Sequence, residues 1–118
     1  MKFIIYLLCL IFSLVLQAYD ENDLTTLKKT KKCENCDLTN ANLSKLDLSN
    51  AMLSGANLSL ANLTNTNFFK ADLSYSSLVK SKIYIANLDF ANLEGANLTE
   101  ARFCLLYTSP SPRDQLGS

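Results

Sequence analysis

Two cysteines three residues apart, Cys33 and Cys36, are the residues whose spacing most suggests chemistry in this chain. A Cys-x-x-Cys pair serves as a redox centre, as half of a metal site, or as a local disulfide. A metal site needs two further ligands, and the chain has no His and no second pair of this kind. A disulfide needs an oxidising compartment, so that alternative depends on export of the chain.

Other catalytic patterns are missing from the sequence. Without His, the chain lacks the commonest general base and the usual catalytic triads. Its Ser and Thr residues recur at regular places, and no glycine-rich phosphate loop is present. The 11 basic and 11 acidic residues cancel, so no charge excess attracts nucleic acid. We therefore expect no enzyme activity, no cofactor, no metal, no nucleic-acid partner and no small-molecule substrate.

The dominant pattern is a large apolar residue at every fifth position. Two positions before it stands a small residue, with Leu46 as the exception, and the residue between them is mostly Asn or Asp. An internal repeat of this kind outranks other signals in the sequence. The large residues are Leu38, Leu43, Leu48, Leu53, Leu58, Leu63, Phe68, Leu73, Leu78, Ile83, Leu88, Leu93, Leu98 and Phe103.

A period of five fits neither a straight helix nor a flat strand. In an α-helix successive large residues would lie about 140° apart, and in a strand they would alternate between faces. The pattern works if three extended residues point the small and large side chains inward and the next two residues turn a corner. Four such sides make one coil of about 20 residues, and stacked coils pair their backbones about 4.8 Å apart.

The strings CDLTNANL, SGANLSLANLTNTNF and LDFANLEGANLTEARF resemble the pentapeptide-repeat family, whose consensus is A-(D/N)-L-x-x. The resemblance covers residues 36–103 and implies an all-β fold, a right-handed quadrilateral β-helix with the large residues stacked in its shaft. Four repeats per coil make about three and a half coils. Family members often begin their first coil with a similar Cys-x-x-Cys stretch. Cys33 and Cys36 both fall on inward positions, so small core residues are one interpretation of the pair, beside a disulfide and a redox or metal site.

The N-terminal residues precede the repeat. Residues 1–18 have a positive start, an apolar run and a terminal Ala, the layout of a signal peptide. A membrane anchor through residues 3–19 is the alternative. Residues 19–36 are predicted to form an N-terminal cap, because solenoids need capped ends. Within it, residues 20–32 favour a short helix or turn whose last part is the solvated basic run Lys28–Lys32.

The C-terminal residues also depart from the repeat. Residues 37–103 are expected to form the β-helix, whereas residues 104–114 resemble translated sequencing-adapter sequence. We therefore expect residues 104–118 to be a non-native or disordered tail and the repeat domain to be truncated. An open last coil would favour end-to-end self-association, because unpaired sheet edges template pairing with other chains.

One group of turn residues is apolar where Ser, Thr, Asn, Lys or Gly is usual. Phe69, Tyr84, Ile85 and Phe90 fall close together in a coil of this length, and we expect them to form one patch. Such a patch either binds a protein partner or is covered by residues of the missing C-terminal part. The partner itself is unknown.

Two functions remain. The first is an exported structural or protein-interaction scaffold, periplasmic or extracellular. The second, implied by the family, is a DNA-mimicking protein that protects a topoisomerase. Mimicry needs a strongly acidic surface, but residues 37–103 carry six acidic and five basic residues, and the leader directs the chain away from the cytosol.

We predict that the leader is cleaved after Ala18, because a small residue follows the apolar run there. Intact mass of the exported protein should correspond to a chain that begins at Tyr19. A mature protein that retains Met1 would instead support the membrane anchor.

Overall fold

Each five-residue repeat forms three extended residues and a tight turn in the computed structural model, which describes residues 19–103. In the first complete repeat, Ala41 donates its backbone N–H to the Leu38 carbonyl at 3.1 Å, and Asn40 has φ of 62°. A hydrogen bond across four residues with a left-handed third residue is characteristic of a type II turn. The left-handed position recurs at every fifth residue from Asn35 to Glu100, with φ between 57° and 72°. The chain therefore turns the corner that the period predicts in every repeat.

Backbone pairing joins each residue to the one 20 positions further on. Asp37 bridges Asn57, and Asn57 bridges Ser77, always in parallel orientation. Asn57 donates its N–H to the Cys36 carbonyl, while its own carbonyl accepts the Leu38 N–H, both at 2.8 Å. Each side has only three extended residues, so most pairings are single bridges. The fold is a β-helix solenoid; its handedness and number of coils stay predictions.

The only extended pair long enough to form strands lies near the end of the described residues. Strand β1 (Lys82–Ile83) pairs in parallel with strand β2 (Arg102–Phe103), with Lys82 opposite Arg102 and Ile83 opposite Phe103. These strands follow the same 20-residue register as the single bridges.

The shaft holds a continuous apolar core. All the large residues from Leu38 to Ile83 are at most 3% exposed, and the small residues between them are buried as well. Where the small residue is polar its hydroxyl is bonded, as in Thr66, which donates to the Leu43 carbonyl at 2.9 Å. Leu46, too large for its position, is only half-buried.

Burial decreases at the far end of the shaft. Leu88, Leu93 and Leu98 are half-buried, and Phe103 is 45% exposed. Phe103, which the sequence assigns to the shaft, is therefore partly exposed in the described structure. Its coil packs on the preceding coil on one side, and no described residue covers the other side, so an inward direction does not produce burial there.

A helix closes the opposite end. Helix α1 (Glu21–Thr30) begins after Asp20, whose carboxylate accepts the Asn22 N–H at 2.8 Å. Acidic residues occupy its first turn and lysines its last turn, as the helix dipole favours. Leu27 is fully buried against the core and Leu24 packs beside it. Of the two forms allowed for the cap, the structure has the helix.

The cap also satisfies the backbone of the first coil. Asp23 accepts the Asp37 N–H through Oδ2 at 2.8 Å, and the Asp20 N–H donates to the Asp37 carbonyl at 3.0 Å. These two bonds replace the partners that a preceding coil would supply. Coil pairing already begins at Lys32, which bridges Met52, five residues before the predicted start of the β-helix at residue 37. The segments predicted to be a signal peptide and a non-native tail, residues 1–18 and 104–118, lie outside the described residues.

We predict that Leu73→Asp lowers the free energy of unfolding by at least about 3 kcal/mol, because it places an unpaired charge between the stacked Leu53 and Leu93. Asn62→Asp is the matched control: it keeps the Oδ1 acceptor that binds the Thr64 N–H, and should change stability by less than about 0.5 kcal/mol. Denaturant unfolding measures both. Similar losses for the two variants would contradict the inward assignment of Leu73.

Candidate functional site

The Asn and Asp residues of the repeat hold the turns together. In ten repeats the Oδ1 atom accepts the backbone N–H two residues later, at 2.9 to 3.2 Å. Their partners are the first turn residues, which otherwise have an unbonded N–H. The ten residues are Asp37, Asn42, Asp47, Asn57, Asn62, Asn67, Asp72, Asn87, Asn92 and Asn97. Because these side chains are occupied in the turns, they are poor candidates for binding or catalysis.

Two of these side chains, the carboxylates of Asp47 and Asp72, have their ionised form stabilised by neighbouring serines. The hydroxyl and then the backbone N–H of Ser74 donate to Asp72, at 2.6 and 3.0 Å, and lower the pKa of that carboxyl below its ordinary value. Asp47 has a pKa lowered for the same reason by Ser49, with a smaller contribution from Lys31. Such groups are weak proton donors near neutral pH.

A stacked pair of side chains joins two neighbouring corners. The Tyr75 hydroxyl donates to Glu94 Oε1 at 2.7 Å, which raises the pKa of Tyr75. A Cβ on Gly95 would collide with the Tyr75 ring. Glycine at this position therefore permits both the left-handed φ of 69° and the close approach of the ring. Sequence reasoning missed the contact, although a separation of 20 residues between Tyr75 and Gly95 indicates it. Its role is to stabilise the corner.

Cys33 and Cys36 are joined by a disulfide. Cys33 is buried and Cys36 half-buried, so both lie on the inward side of their repeat. Cys33 Sγ lies 3.2 Å from the Asp23 carbonyl oxygen, and because a disulfide sulfur carries no proton this is a packing contact with helix α1. Of the alternatives that the sequence left open, the structure has the disulfide. Within residues 19–103 no three His, Cys, Asp or Glu side chains cluster as metal ligands.

The residues predicted to form an apolar patch occupy two adjacent corners. The rings of Phe69 and Phe90 meet edge to face with centroids 5.7 Å apart, and the Lys70 ammonium lies 5.4 Å from the centre of the Phe69 ring. We call these three residues the aromatic corner. Tyr84 and Ile85 form the turn at the preceding corner, so the side that contains Asn87 separates them from Phe90.

Exposure differs strongly within the patch. Phe90 is 80% exposed and Ile85 is 58% exposed, whereas Phe69 and Tyr84 are half-buried. Both exposed residues stand at the left-handed turn position. The structure thus brings the two phenylalanines into contact and places the other two residues within the same region of the surface.

A second surface feature was missed by sequence reasoning. An open cavity of about 580 Å³ lies at the corner diagonally opposite the aromatic corner, and we call it the basic groove. It is lined by Leu60, Lys80, Lys82, Glu100 and Arg102. Lys80 and Glu100 form an ion pair of 3.6 Å. The available signal was the replacement of the usual Asn or Asp by Lys82 and Arg102, two positions exactly one coil apart in the predicted register.

The described part of the chain contains no helix with the length and apolar character needed to cross a bilayer. The residues proposed for a membrane anchor lie outside the described range, apart from Tyr19.

Comparison with solved structures finds pentapeptide-repeat proteins. One from Nostoc PCC 7120 is 32% identical, with 72% of this chain and 77% of that chain covered and a TM-score of 0.42. HetL, a pentapeptide-repeat protein involved in heterocyst differentiation regulation in the same cyanobacterium, is 34% identical over 60% of this chain and 38% of its own length, with a TM-score of 0.34. A protein of the Arabidopsis thaliana thylakoid lumen is 26% identical over 67% of this chain and 57% of that chain, with a TM-score of 0.24.

Comparison with curated proteins gives no significant match. The model of pentapeptide repeats matches eight copies, in residues 32–69, 47–83 and 86–105. These ranges coincide with the corners and bridges described above and cover more than half of the sequence, so the chain belongs to the pentapeptide-repeat family.

Proposed function

We propose that this protein is an exported, non-enzymatic scaffold that binds a partner protein through the aromatic corner and the neighbouring residues Tyr84 and Ile85. Pentapeptide-repeat proteins are in general structural or interaction proteins. The signal-peptide layout of residues 1–18 supports export. The proposal takes the solenoid as right-handed and four-sided, with about three and a half coils.

The observation that carries the proposal is the choice of residue at the left-handed turn positions. Asn and Gly occupy this conformation with little strain, and they do so at Asn40, Asn65 and Gly95. Ile85 and Phe90 adopt the same conformation at φ of 57° and 61°, where a side chain other than Asn or Gly costs about 1–2 kcal/mol. Residues that oppose local stability and are also exposed are typical of functional surfaces.

The chemistry of this surface suits a partner with an apolar centre. The Phe90 ring presents most of its area to solvent, and its edge-to-face contact with Phe69 holds it in place. Lys70 adds a positive charge at the rim, beside the Phe69 ring. Large aromatic anchors with a charged rim are common at the centre of protein interfaces. The surface of the described repeats does not favour DNA mimicry, because acidic and basic residues are mixed throughout them.

We predict that Phe90→Asn weakens partner binding at least tenfold while it raises the melting temperature, because Asn suits the left-handed turn and the aromatic anchor is lost. The partner is first identified by crosslinking from the surface of the producing cells, and then titrated in purified form against the full chain.

Leu60→Asn is the matched control, since it makes the same type of change at the diagonally opposite corner and should leave partner affinity unaltered. Equal binding by the Phe90→Asn variant and the unaltered chain would refute the aromatic corner as the interface. Failure to recover any partner that binds in purified form would refute the scaffold function.

End-to-end self-association is a second part of the proposal. The last described coil presents half-buried Leu88, Leu93 and Leu98 with no described coil beyond them, and sheet edges of this kind pair with other chains. Helix α1 blocks the other end through its bonds to Asp37. We therefore expect association of two far ends.

We predict that the mature chain sediments as a dimer at high protein concentration and as a monomer when diluted. Two far ends make a closed pair, so larger species should not accumulate. Sedimentation velocity across a hundredfold concentration range measures this. A monomer throughout the range, or a continuous ladder of larger species, would contradict association through that end alone.

A further inference from the structure

We propose that the basic groove binds an oxyanion, a phosphate or carboxylate group that carries an apolar substituent. The groove joins two cations, Lys82 and Arg102, to the exposed side chain of Leu60 around one cavity. This site lies away from the aromatic corner and is independent of the scaffold function. Nothing in the solenoid itself requires cations at these two positions, as the other repeats show.

Lys82 and Arg102 replace residues that would stabilise the turns. On one side of the solenoid, Asn42 bridges Asn62, and Asn62 bridges Lys82. Lys82 pairs in turn with Arg102, so these four residues form one column. Asn42 and Asn62 accept the N–H two residues later, at 3.1 Å each. Lysine and arginine have no acceptor atom in their side chains, so neither Lys82 nor Arg102 is able to accept an N–H in this way.

The two replacements also place like charges next to each other. Lys82 and Arg102 are paired in register, which sets their backbones about 4.8 Å apart, and like charges directly opposite in a sheet are destabilising. Both residues are exposed, and the ion pair of 3.6 Å in the groove belongs to Lys80 and Glu100. Three cations and one carboxylate leave two positive charges. An oxyanion between Lys82 and Arg102 converts their repulsion into attraction.

The side chains define the chemical class of the ligand. The guanidinium of Arg102 offers paired donors that match the geometry of a carboxylate or phosphate, and the ammonium of Lys82 adds a point charge. Leu60 is 51% exposed and has φ of 61°, a conformation that Asn would adopt with less strain. Its apolar surface beside the cations suits a short hydrocarbon substituent. Such a group belongs to a free phosphate ester or carboxylate, or to a lipid headgroup and its chain.

The first test measures binding of hexyl phosphate and of inorganic phosphate to the full chain by calorimetry. We expect hexyl phosphate to bind more tightly, because only its chain reaches Leu60. Lys82→Asn and Arg102→Asn restore the residue found at Asn42 and Asn62, so both variants should melt at the same or a higher temperature. Each should weaken hexyl phosphate binding by about tenfold or more.

Two further variants separate charge and apolar contributions. Lys70→Asn removes one positive charge at the opposite corner, and the affinity for hexyl phosphate should stay within about twofold, as expected for a distant exposed charge. Leu60→Asn should reduce the affinity for hexyl phosphate to that for inorganic phosphate. An undiminished preference for hexyl phosphate in the Leu60→Asn variant would overturn the apolar part of the site.

A vesicle-binding experiment distinguishes a soluble phosphate ester from a lipid headgroup as the ligand. Vesicles that contain phosphatidic acid are compared with vesicles of phosphatidylcholine alone, using the same variants. Binding of free hexyl phosphate without vesicle binding supports a soluble ligand, and vesicle binding that depends on Arg102 supports a lipid headgroup. Absence of binding in both arms, or equal losses for Lys82→Asn and Lys70→Asn, would overturn the proposal.

Discussion

The structure depends on parallel backbone pairing between residues 20 positions apart. Every bridge and both strands obey this register, and it holds only if the chain turns through one corner in each five-residue repeat. Each corner has a left-handed residue at the third position of the turn, and in ten repeats an Asn or Asp side chain also accepts the N–H of the second turn residue. Apolar packing fills the shaft, but the shaft forms only because the chain turns at each corner. A residue's place within the repeat therefore determines whether it serves the core, the turn or the surface.

The two ends of the described solenoid differ in what covers the terminal coil. At the first coil, Asp20 and Asp23 supply one donor and one acceptor to Asp37, and Leu27 covers the shaft. The disulfide between Cys33 and Cys36 lies directly under this helix, with Cys33 in contact with the Asp23 carbonyl. Cap and first coil thus form one unit. The large residues from Leu88 onward are less buried than those before them, because the described residues provide no equivalent cover there.

The turns restrict which residues are suited to the outward positions of the repeat. The turn positions and the middle residue of each side face outward, and in most repeats Ser, Thr, Asn or Asp there support the turn. At the aromatic corner and the basic groove this support is reduced, by a bulky left-handed residue at one and by cations in place of an Asn acceptor at the other, and Tyr75 and Met52 are similar departures elsewhere. Both departures lower local stability in the free protein. The binding that we propose for each surface would offset this loss, and the two surfaces lie on opposite corners.

The sequence by itself determined the period, the inward and outward positions, the corner in each repeat and the family. All of these depend on the residue types within one five-residue repeat. It also indicated a cap over residues 19–36 and an apolar group around Phe69 and Phe90. Only the tertiary structure decided the disulfide among the alternatives for Cys33 and Cys36, the exposure of Phe103, the bonds from Asp23 to Asp37 and the cavity beside Leu60. The Asp23–Asp37 bond joins residues 14 positions apart, the cavity brings Leu60 together with residues as distant as Arg102, and the burial of Phe103 depends on whether its coil has a neighbour. Cys33 and Cys36 are close in sequence, but their spacing alone is compatible with every alternative for the pair. A local repeat predicts the direction in which a side chain points. Its contacts and its burial depend on which residues of the neighbouring coils pack against it.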